Sequence, residues 1–412
     1  RYASTFFEEV FVGWTEVLDD TRNLKYKKSM PHATFLILID GLSSQRFNQL
    51  LSQGKLPTIE KLLKDYEHLS GVAATAFPET TFSTYTSIMT GLYPKNHKVP
   101  GDSFEHNNQN YNFFTDPNKV NNYLTTRSVK TIFDYLNEGG YSSAAVASIY
   151  NQGIGTKQDD EIVPATVNFQ AGTISNFNSL VSYLDGLNER DKLKSNDIAD
   201  FVSIYLLSND HGISTNPNTI DYTSADAELK QIIDKLESKG AMQNSIFIIT
   251  SDHGFKDVIR DNVHAIKEAK SSTNGFPINL NGEVAYYYLP TTQVANQLML
   301  DAQGLEDMSK DATSTIFNKI ESIYVKDSGT YKLFKSGILG SANNPIKNLY
   351  SDASGDIMLI AKEGYYFAPQ PKESIEFSGL FSPQAPLVIT GKFYEALINK
   401  SMKPAKPYSV ID

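Results

Sequence analysis

The chain has 412 residues, 40% of them hydrophobic, no cysteine and a formal net charge of −10. That length supports one large domain with insertions or two domains; the absent cysteine excludes disulfides and thiolate metal sites and leaves the redox compartment open. An acidic chain without a basic run argues against a nucleic acid duplex as partner, and no apolar run approaches the ~20 residues of a membrane helix.

Residues 1–30 are amphipathic and charged and read as a helical lead-in without chemistry. Phe35-Leu36-Ile37-Leu38-Ile39 is a continuous apolar run, the pattern of a strand buried on both faces, and it ends in Asp40-Gly41. Open α/β sheets build their sites just past such strand ends. Leu56 to Tyr66 reads as a helix with Pro57 in its first turn, and Gly71 to Ala76 as a short strand that leads to Phe77-Pro78-Glu79-Thr80-Thr81. Pro78 and the polar run after it stop the strand. A helix then runs to Gly91, with Pro94 beyond it as a stop signal. Thr80 or Thr81 therefore stands at a helix N-terminus, where free N–H groups favour an anion and a hydroxyl could attack phosphorus; the plainer alternative is an ordinary threonine cap.

Tyr93 to Thr126 is polar, asparagine-rich and aromatic, and reads as an excursion over a site. Val129, Ile132, Phe133 and Leu136 keep helical spacing up to Gly139-Gly140. Tyr141 to Ser148 looks like a strand, and residues 150–195 like loops with a short helix near 176–186. Phe201 to Leu207 is a second buried strand, running into Ser208-Asn209-Asp210-His211-Gly212. An amphipathic helix follows, with Ala225, Leu229, Ile232, Ile233 and Leu236 on one face. Ser245 to Thr250 is a third buried strand and ends in Ser251-Asp252-His253-Gly254. Residues 255–350 read as a loop-rich insertion or small cap lobe with one strand-like run, Val284 to Leu289. Gly355 to Ile360 is expected to return to the main sheet, and Leu387-Val388-Ile389 is strand-like. The domain reading is a core of 31–254 and 351–412. Its class is α/β, with a largely parallel central sheet, helices on both faces and an inserted lobe.

Three buried strands thus end in carboxylates, Asp40, Asp210 and Asp252, two of them followed by histidine. Any one alone is read as a tight turn; together with the Thr81 helix start they suit a divalent ion bound by hard oxygens and imidazole beside a hydroxyl nucleophile. Here the residues resemble the alkaline phosphatase superfamily, and within it the nucleotide pyrophosphatase/phosphodiesterase branch. Ile39-Asp40-Gly41, the run from Thr81 to Thr90-Gly91-Leu92-Tyr93-Pro94, the segment from Tyr205 to Asp210, and Thr250-Ser251-Asp252-His253-Gly254 follow its motifs in order, and the resemblance spans roughly 33–412.

The resemblance implies one metal held by Asp40, Thr81, Asp252 and His253. Of a second site it leaves only Asp210: Ser214 stands where that branch has a histidine, and no histidine follows His264, the late position falling near Phe377-Ser378-Gly379. His211 stands evenly between a substitute contact and a turn residue, and His264 reads as a solvent-exposed loop histidine. Asp102 occupies a position where these enzymes often have an asparagine that donates to the phosphoryl oxygen; a carboxylate repels that oxygen unless protonated or metal-bound. His32, His68, His97 and His106 have no constellation around them, although His97 follows the Thr81 helix and could reach substrate. One ion, zinc ahead of manganese, is expected rather than two. The expected activity is metal-dependent hydrolysis of a phosphate ester, a small molecule or a lipid or nucleotide headgroup, through a phosphothreonine at Thr81. The alternatives are a single-metal phosphoryl transferase and a binding protein on a decayed hydrolase scaffold. The resemblance leans to an extracytoplasmic setting.

Overall fold

The computed structural model describes residues 33–392 and 394, apart from 113–116, 140, 142, 147, 149, 151–198, 207–219, 239, 257–262, 265–277, 290–294, 312–316, 341–345, 347, 364, 368–379 and 383. The expected lead-in of residues 1–30 and the loops of 151–195 lie outside the described residues, as do His32, Asp210, His211, Ser214 and Phe377-Ser378-Gly379.

In chain order the first half comprises β1 (Ala33–Ile39), α1 (Ser44–Ser52), α2 (Pro57–Asp65), β2 (His68–Ala74), α3 (Thr81–Thr90), α4 (Pro94–His97), the hairpin β3 (Ser103–His106) and β4 (Gln109–Asn112), α5 (Pro117–Thr126), α6 (Ile132–Glu138), β5 (Ser143–Val146) and β6 (Phe201–Leu206). The second half comprises α7 (Thr223–Ser238), β7 (Ser245–Thr250), β8 (Gly254–Lys256), β9 (Val263–His264), β10 (Ile278–Asn281), β11 (Val284–Tyr287), α8 (Ala295–Lys310), β12 (Ile320–Asp327), β13 (Thr330–Lys335), β14 (Ile338–Leu339), β15 (Ile357–Ala361), β16 (Tyr366–Phe367), β17 (Leu380–Ser382) and β18 (Gln384–Thr390).

The apolar run of β1 is buried along its whole length, because parallel partners flank it on both edges, β6 on one and β7 on the other. The central sheet has the order β2-β18-β7-β1-β6-β5. It is mixed rather than parallel throughout. β5, β6, β1 and β7 pair in parallel, whereas β18 pairs antiparallel with both β7 and β2. An apolar run such as Leu387-Val388-Ile389 carries no direction; the end from which the chain enters sets it, and β18 is entered from β17 without a crossover helix.

Helix caps show how the layers are tied. α2 begins at Pro57, as expected, but its N-cap is Leu56, which offers no side-chain acceptor. Asp226 of α7 takes that place: its carboxylate accepts from the amides of Thr58 at 2.9 Å and Ile59 at 3.0 Å. An anion there meets the positive end of the helix dipole. The apolar face of α7 is buried as its spacing predicted.

The region 255–350 departs from its loop-rich reading. It supplies most of a second six-stranded antiparallel sheet, β10-β11-β15-β12-β13-β14. α8 packs on it around Tyr287, Leu305, Val325 and Leu359. Residues 357–361 do not return to the central sheet: β15 lies between β11 and β12 of this second one. Two tight turns make the sheet possible. Ser328-Gly329 (φ 49° and 83°) and Ser336-Gly337 (φ 52° and 74°) have positive φ at both central residues, as two-residue hairpins of type I′ require. Among the described residues, no helix is long and apolar enough to cross a membrane.

Candidate metal centre and nucleophile

Asp40 is the first residue past β1, and Asp252 stands two residues past its parallel neighbour β7. Both carboxylates therefore emerge at the same edge of the sheet. Leu38, Tyr205 and Thr250 are in register across β1, β6 and β7, so Tyr205 shares a face with Asp40 through the two-residue period of a strand. Its hydroxyl donates to Asp252 Oδ2 at 3.0 Å. The other oxygen, Oδ1, accepts from the backbone amides of His253 at 2.9 Å and Gly41 at 3.3 Å. The Ser251 hydroxyl, which accepts from the Leu42 amide, shares its proton between the His253 carbonyl and Asp252 Oδ1, so four donors face Asp252. Gly41 is required here: its φ is +70°, and a Cβ would stand 1.9 Å from the Phe255 ring.

Asp40, Asp252 and His253 are buried, and one ligand atom from each lies within 4.8 Å of the others. His253 Nε2 is 3.6 Å from Asp40 Oδ1 and 3.6 Å from Asp252 Oδ2. Bonds of about 2.0–2.2 Å in a tetrahedral shell place ligand atoms about 3.3–3.6 Å apart, so the three groups fit a divalent ion of that coordination. The histidine tautomer also fits. Nδ1 faces the Gly254 carbonyl at 3.2 Å; a carbonyl only accepts, so Nδ1 carries the proton and Nε2 presents its lone pair inward. Burial, followed by the neighbouring Asp252, pushes Asp40 up to about 8. Two buried carboxylates this close favour sharing a proton or a cation.

α3 delivers the fourth group. Its sequence is rich in hydroxyl and β-branched residues, which weakly favour helix. It folds as one because most of its residues pack into the interior, and Thr84, Thr86, Ser87 and Thr90 satisfy their hydroxyls there by returning a hydrogen bond to a carbonyl four residues earlier. The helix closes at Gly91 in the left-handed conformation, as the sequence predicted. Thr81, the first helical residue after the Thr80 cap, points its hydroxyl elsewhere: Oγ1 is 2.9 Å from His253 Nε2. The structure therefore brings together Asp40, Thr81, Asp252 and His253.

Asp102 joins them from the loop before β3. Its Oδ1 accepts from the Phe82 amide, at the N-terminus of α3, at 2.7 Å. Burial raises its pKa to about 7, against the lowering effect of that amide. The second sheet holds this loop. Asn281 of β10 accepts from the Ser103 amide and donates to the Ser103 carbonyl, both at 2.8 Å, and Tyr286 of β11 donates to the Pro100 carbonyl at 2.9 Å.

His97, which could reach substrate by its place after the Thr81 helix, is fully buried. Its Nδ1 accepts from the Val99 amide and its Nε2 pairs with Ser87, locking α3 to the loop after it; burial drives its pKa down to about 3. His264 belongs to β9, paired with β16, rather than to a loop. Sequence reading missed Tyr205, Ser251, Asn281 and Tyr222, whose hydroxyl donates to the Gly41 carbonyl at 2.8 Å. Tyr205 and Ser251 stand inside motif segments that assign them no role, Asn281 and Tyr222 stand in none, and only the register of β6 with β1 marks what Tyr205 does.

A family model described as "Type I phosphodiesterase / nucleotide pyrophosphatase" matches residues 34–383. The chain belongs to this family. Within it the chain is 26% identical over 245 residues to bis(5'-adenosyl)-triphosphatase ENPP4 of Pongo abelii, an alignment covering 57% of this chain and 50% of that protein. The chain thus spans about half the length of the curated relative it matches. Among solved structures, human ectonucleotide pyrophosphatase/phosphodiesterase 5 is similar at a TM-score of 0.62 and 14% identity, covering 87% of each chain. The murine protein is similar at 0.60 and 13% identity, covering 87% of each chain, in a complex with AMP. Phosphonoacetate hydrolase of Sinorhizobium meliloti, bound to phosphonoformate, is similar at 0.56 and 13% identity, over 88% of this chain and 90% of that one. At these identities the structural likenesses speak for the fold.

Proposed function

We propose that this family member is a metal-dependent phosphoric ester hydrolase of the phosphodiesterase/pyrophosphatase type, with Thr81 as nucleophile. The observation that carries the proposal is the cage of Asp40, Asp252 and His253 with the Thr81 hydroxyl 2.9 Å from His253 Nε2. In this reading these four residues hold one divalent ion, zinc ahead of manganese because the 3.6 Å ligand spacing suits a tetrahedral shell better than an octahedral one. The ion supplies Lewis acidity, lowering the hydroxyl pKa and neutralising phosphoryl charge. Tyr205 and the amides around Asp252 keep the carboxylate aimed inward. Thr81 Oγ forms a bond to phosphorus as the bond to the leaving oxygen breaks, and water then hydrolyses the phosphothreonine. Asp102, when protonated, donates to a phosphoryl oxygen in place of an asparagine.

Asp210 is proposed as an additional metal ligand on the family resemblance, and His211 as a substrate contact because it stands next to Asp210 in sequence. Nucleotides and related phosphodiesters are the proposed substrates, with the second sheet shaping the entrance through its hold on residues 100–103.

The test is the Thr81→Ala variant assayed on bis(4-nitrophenyl) phosphate with added zinc. Turnover should vanish while the circular dichroism spectrum is kept; undiminished turnover removes Thr81 as nucleophile. A second reading, an impaired binding protein, is favoured by one observation: the Asp102 carboxylate already takes the Phe82 amide that a phosphoryl oxygen would use. That reading requires no metal-dependent turnover by the wild-type protein on any phosphate ester.

A further inference from the structure

The hairpin β3–β4 leaves the Asp102 loop and, with α5, walls a cavity of about 520 Å³ lined by His106, Asn107, Tyr111, Tyr123, Arg127 and Asp352 among others. His106 lies four residues beyond Asp102, so its Cα can be no more than about 14 Å from that of Asp102. The wall is tied to the nucleophile helix as well. Tyr123 donates to the Lys98 carbonyl, and the next carbonyl, that of Val99, accepts from Ser83 of α3.

Cations cluster around one exposed carboxylate here. Arg127 directs both terminal nitrogens at a single oxygen, Asp352 Oδ2, at 3.2 and 3.0 Å. That is one half of the two-oxygen fork a guanidinium is shaped for. Its Nε is buried without a partner among the described residues. Lys98 Nζ lies 3.9 Å from the other oxygen of the same carboxylate, and Lys326 is close enough to act on Asp352, Lys98 and His106, with Asp356 at 4.0 Å as its nearer counter-ion. Arg127, Lys98 and Lys326 thus share Asp352 and Asp356, with Glu105 beside Asp356 as a third carboxylate, in a chain whose net charge is −10. His106 cannot serve as a further anion, and Asp352 is more than half exposed, able to swing aside. The Arg127 guanidinium lies over the Tyr123 ring at 4.8 Å, which holds it in place.

We propose that this cavity is a second phosphate subsite, anchored by Arg127 and assisted by Lys98. It takes a phosphate group other than the one attacked by Thr81. The phosphate comes either from a distal group of the same substrate, a reading that rests on the proposed hydrolysis, or from free phosphate in solution. Asp352 is the resident anion that the phosphate displaces from Arg127.

Two measurements test this. The first is inorganic phosphate binding by calorimetry to wild type, Arg127→Gln, Arg127→Lys and Asp352→Asn. Arg127→Gln should lose about tenfold in affinity and Arg127→Lys should recover part of it. Asp352→Asn should bind several-fold more tightly, a gain that a purely structural ion pair would not produce. Should Arg127→Gln fail the circular dichroism check, Lys98→Gln carries the same expectation at a smaller loss. The second is the KM for ATP against that for bis(4-nitrophenyl) phosphate. A rise of about tenfold for ATP alone in Arg127→Gln assigns the site to a substrate phosphate. Altered phosphate binding with an unchanged KM for ATP assigns it to the free anion. Phosphate affinities within twofold of one another across the folded variants overturn the proposal. Arg127-dependent phosphate binding without any hydrolysis would overturn the reaction proposed for Thr81 and leave this site standing.

Discussion

Replacing Asp102 by asparagine should make this protein faster at alkaline pH and flatten its pH response. Burial lifts the Asp102 carboxyl from 3.8 to about 7 while the Phe82 amide holds one oxygen at 2.7 Å. Below pH 7 the acid is mostly neutral and can donate to a phosphoryl oxygen; at pH 8 only about one-tenth of it remains neutral. The wild-type kcat/KM for bis(4-nitrophenyl) phosphate should therefore fall about tenfold per unit above its midpoint, and Asp102→Asn should lack that limb. A cation at Asp40 and Asp252 moves the midpoint to lower pH without changing the sign. At pH 8 the variant should exceed wild type by about tenfold.

Stability supplies the second arm, on metal-stripped protein. Between pH 4 and 7 folded Asp102 keeps a proton that the unfolded chain has released, so the native state loses stability as pH rises through that window. Raising the pKa from 3.8 to about 7 corresponds to about 4 kcal/mol, or about 5 °C in Tm for a chain this long. Asp40, also raised and in part by Asp102 itself, titrates in both proteins, so the wild-type minus variant difference reports Asp102 together with its effect on Asp40. A variant no faster than wild type at pH 8, with the same alkaline limb and the same change of Tm with pH, would refute the reasoning.

Tyr205→Phe removes the donor to Asp252 Oδ2 and should weaken zinc binding about ten- to a hundredfold in a competition titration; equal affinity would deny that tyrosine an orienting role. Stripping the protein with a chelator should abolish hydrolysis and lower Tm, and titrating zinc back should restore both at one equivalent per chain; restoration only at two equivalents would count against the single-ion site. Asp226→Ala leaves the Thr58 and Ile59 amides at the start of α2 without their acceptor and should cost about 2–4 kcal/mol in urea unfolding. A loss under about 1 kcal/mol would mean that water replaces the cap.

Much of the candidate site was legible because its signals are local. A run of apolar residues ending in Asp-Gly or Asp-His-Gly marks a buried strand and the carboxylate at its end. A hydroxyl-rich stretch between a proline and a Gly-x-x-Pro stop marks a helix start. Asp40, Thr81, Asp252 and His253 were found that way, and the structure brings them within a few ångströms of one another. The second sheet was illegible for the opposite reason. Its strands are short, and its hairpins turn on Ser-Gly pairs whose positive φ is obvious only once the strands are paired.

The linear order of residues by itself determined which groups are chemically able to form a cation cage, because burial, strand ends and helix starts follow from neighbours a few positions away. Only the tertiary structure decided what surrounds them. Tyr205 donates to a residue 47 positions away and Asn281 bonds one 178 positions away. The direction of β18 follows from where the chain re-enters the sheet. His106, unremarkable in sequence, meets Arg127 and Asp352 only because α5 and the second sheet converge on its hairpin. Each of these is a long-range contact, set by how separate layers pack, and no local pattern of polarity or spacing encodes it.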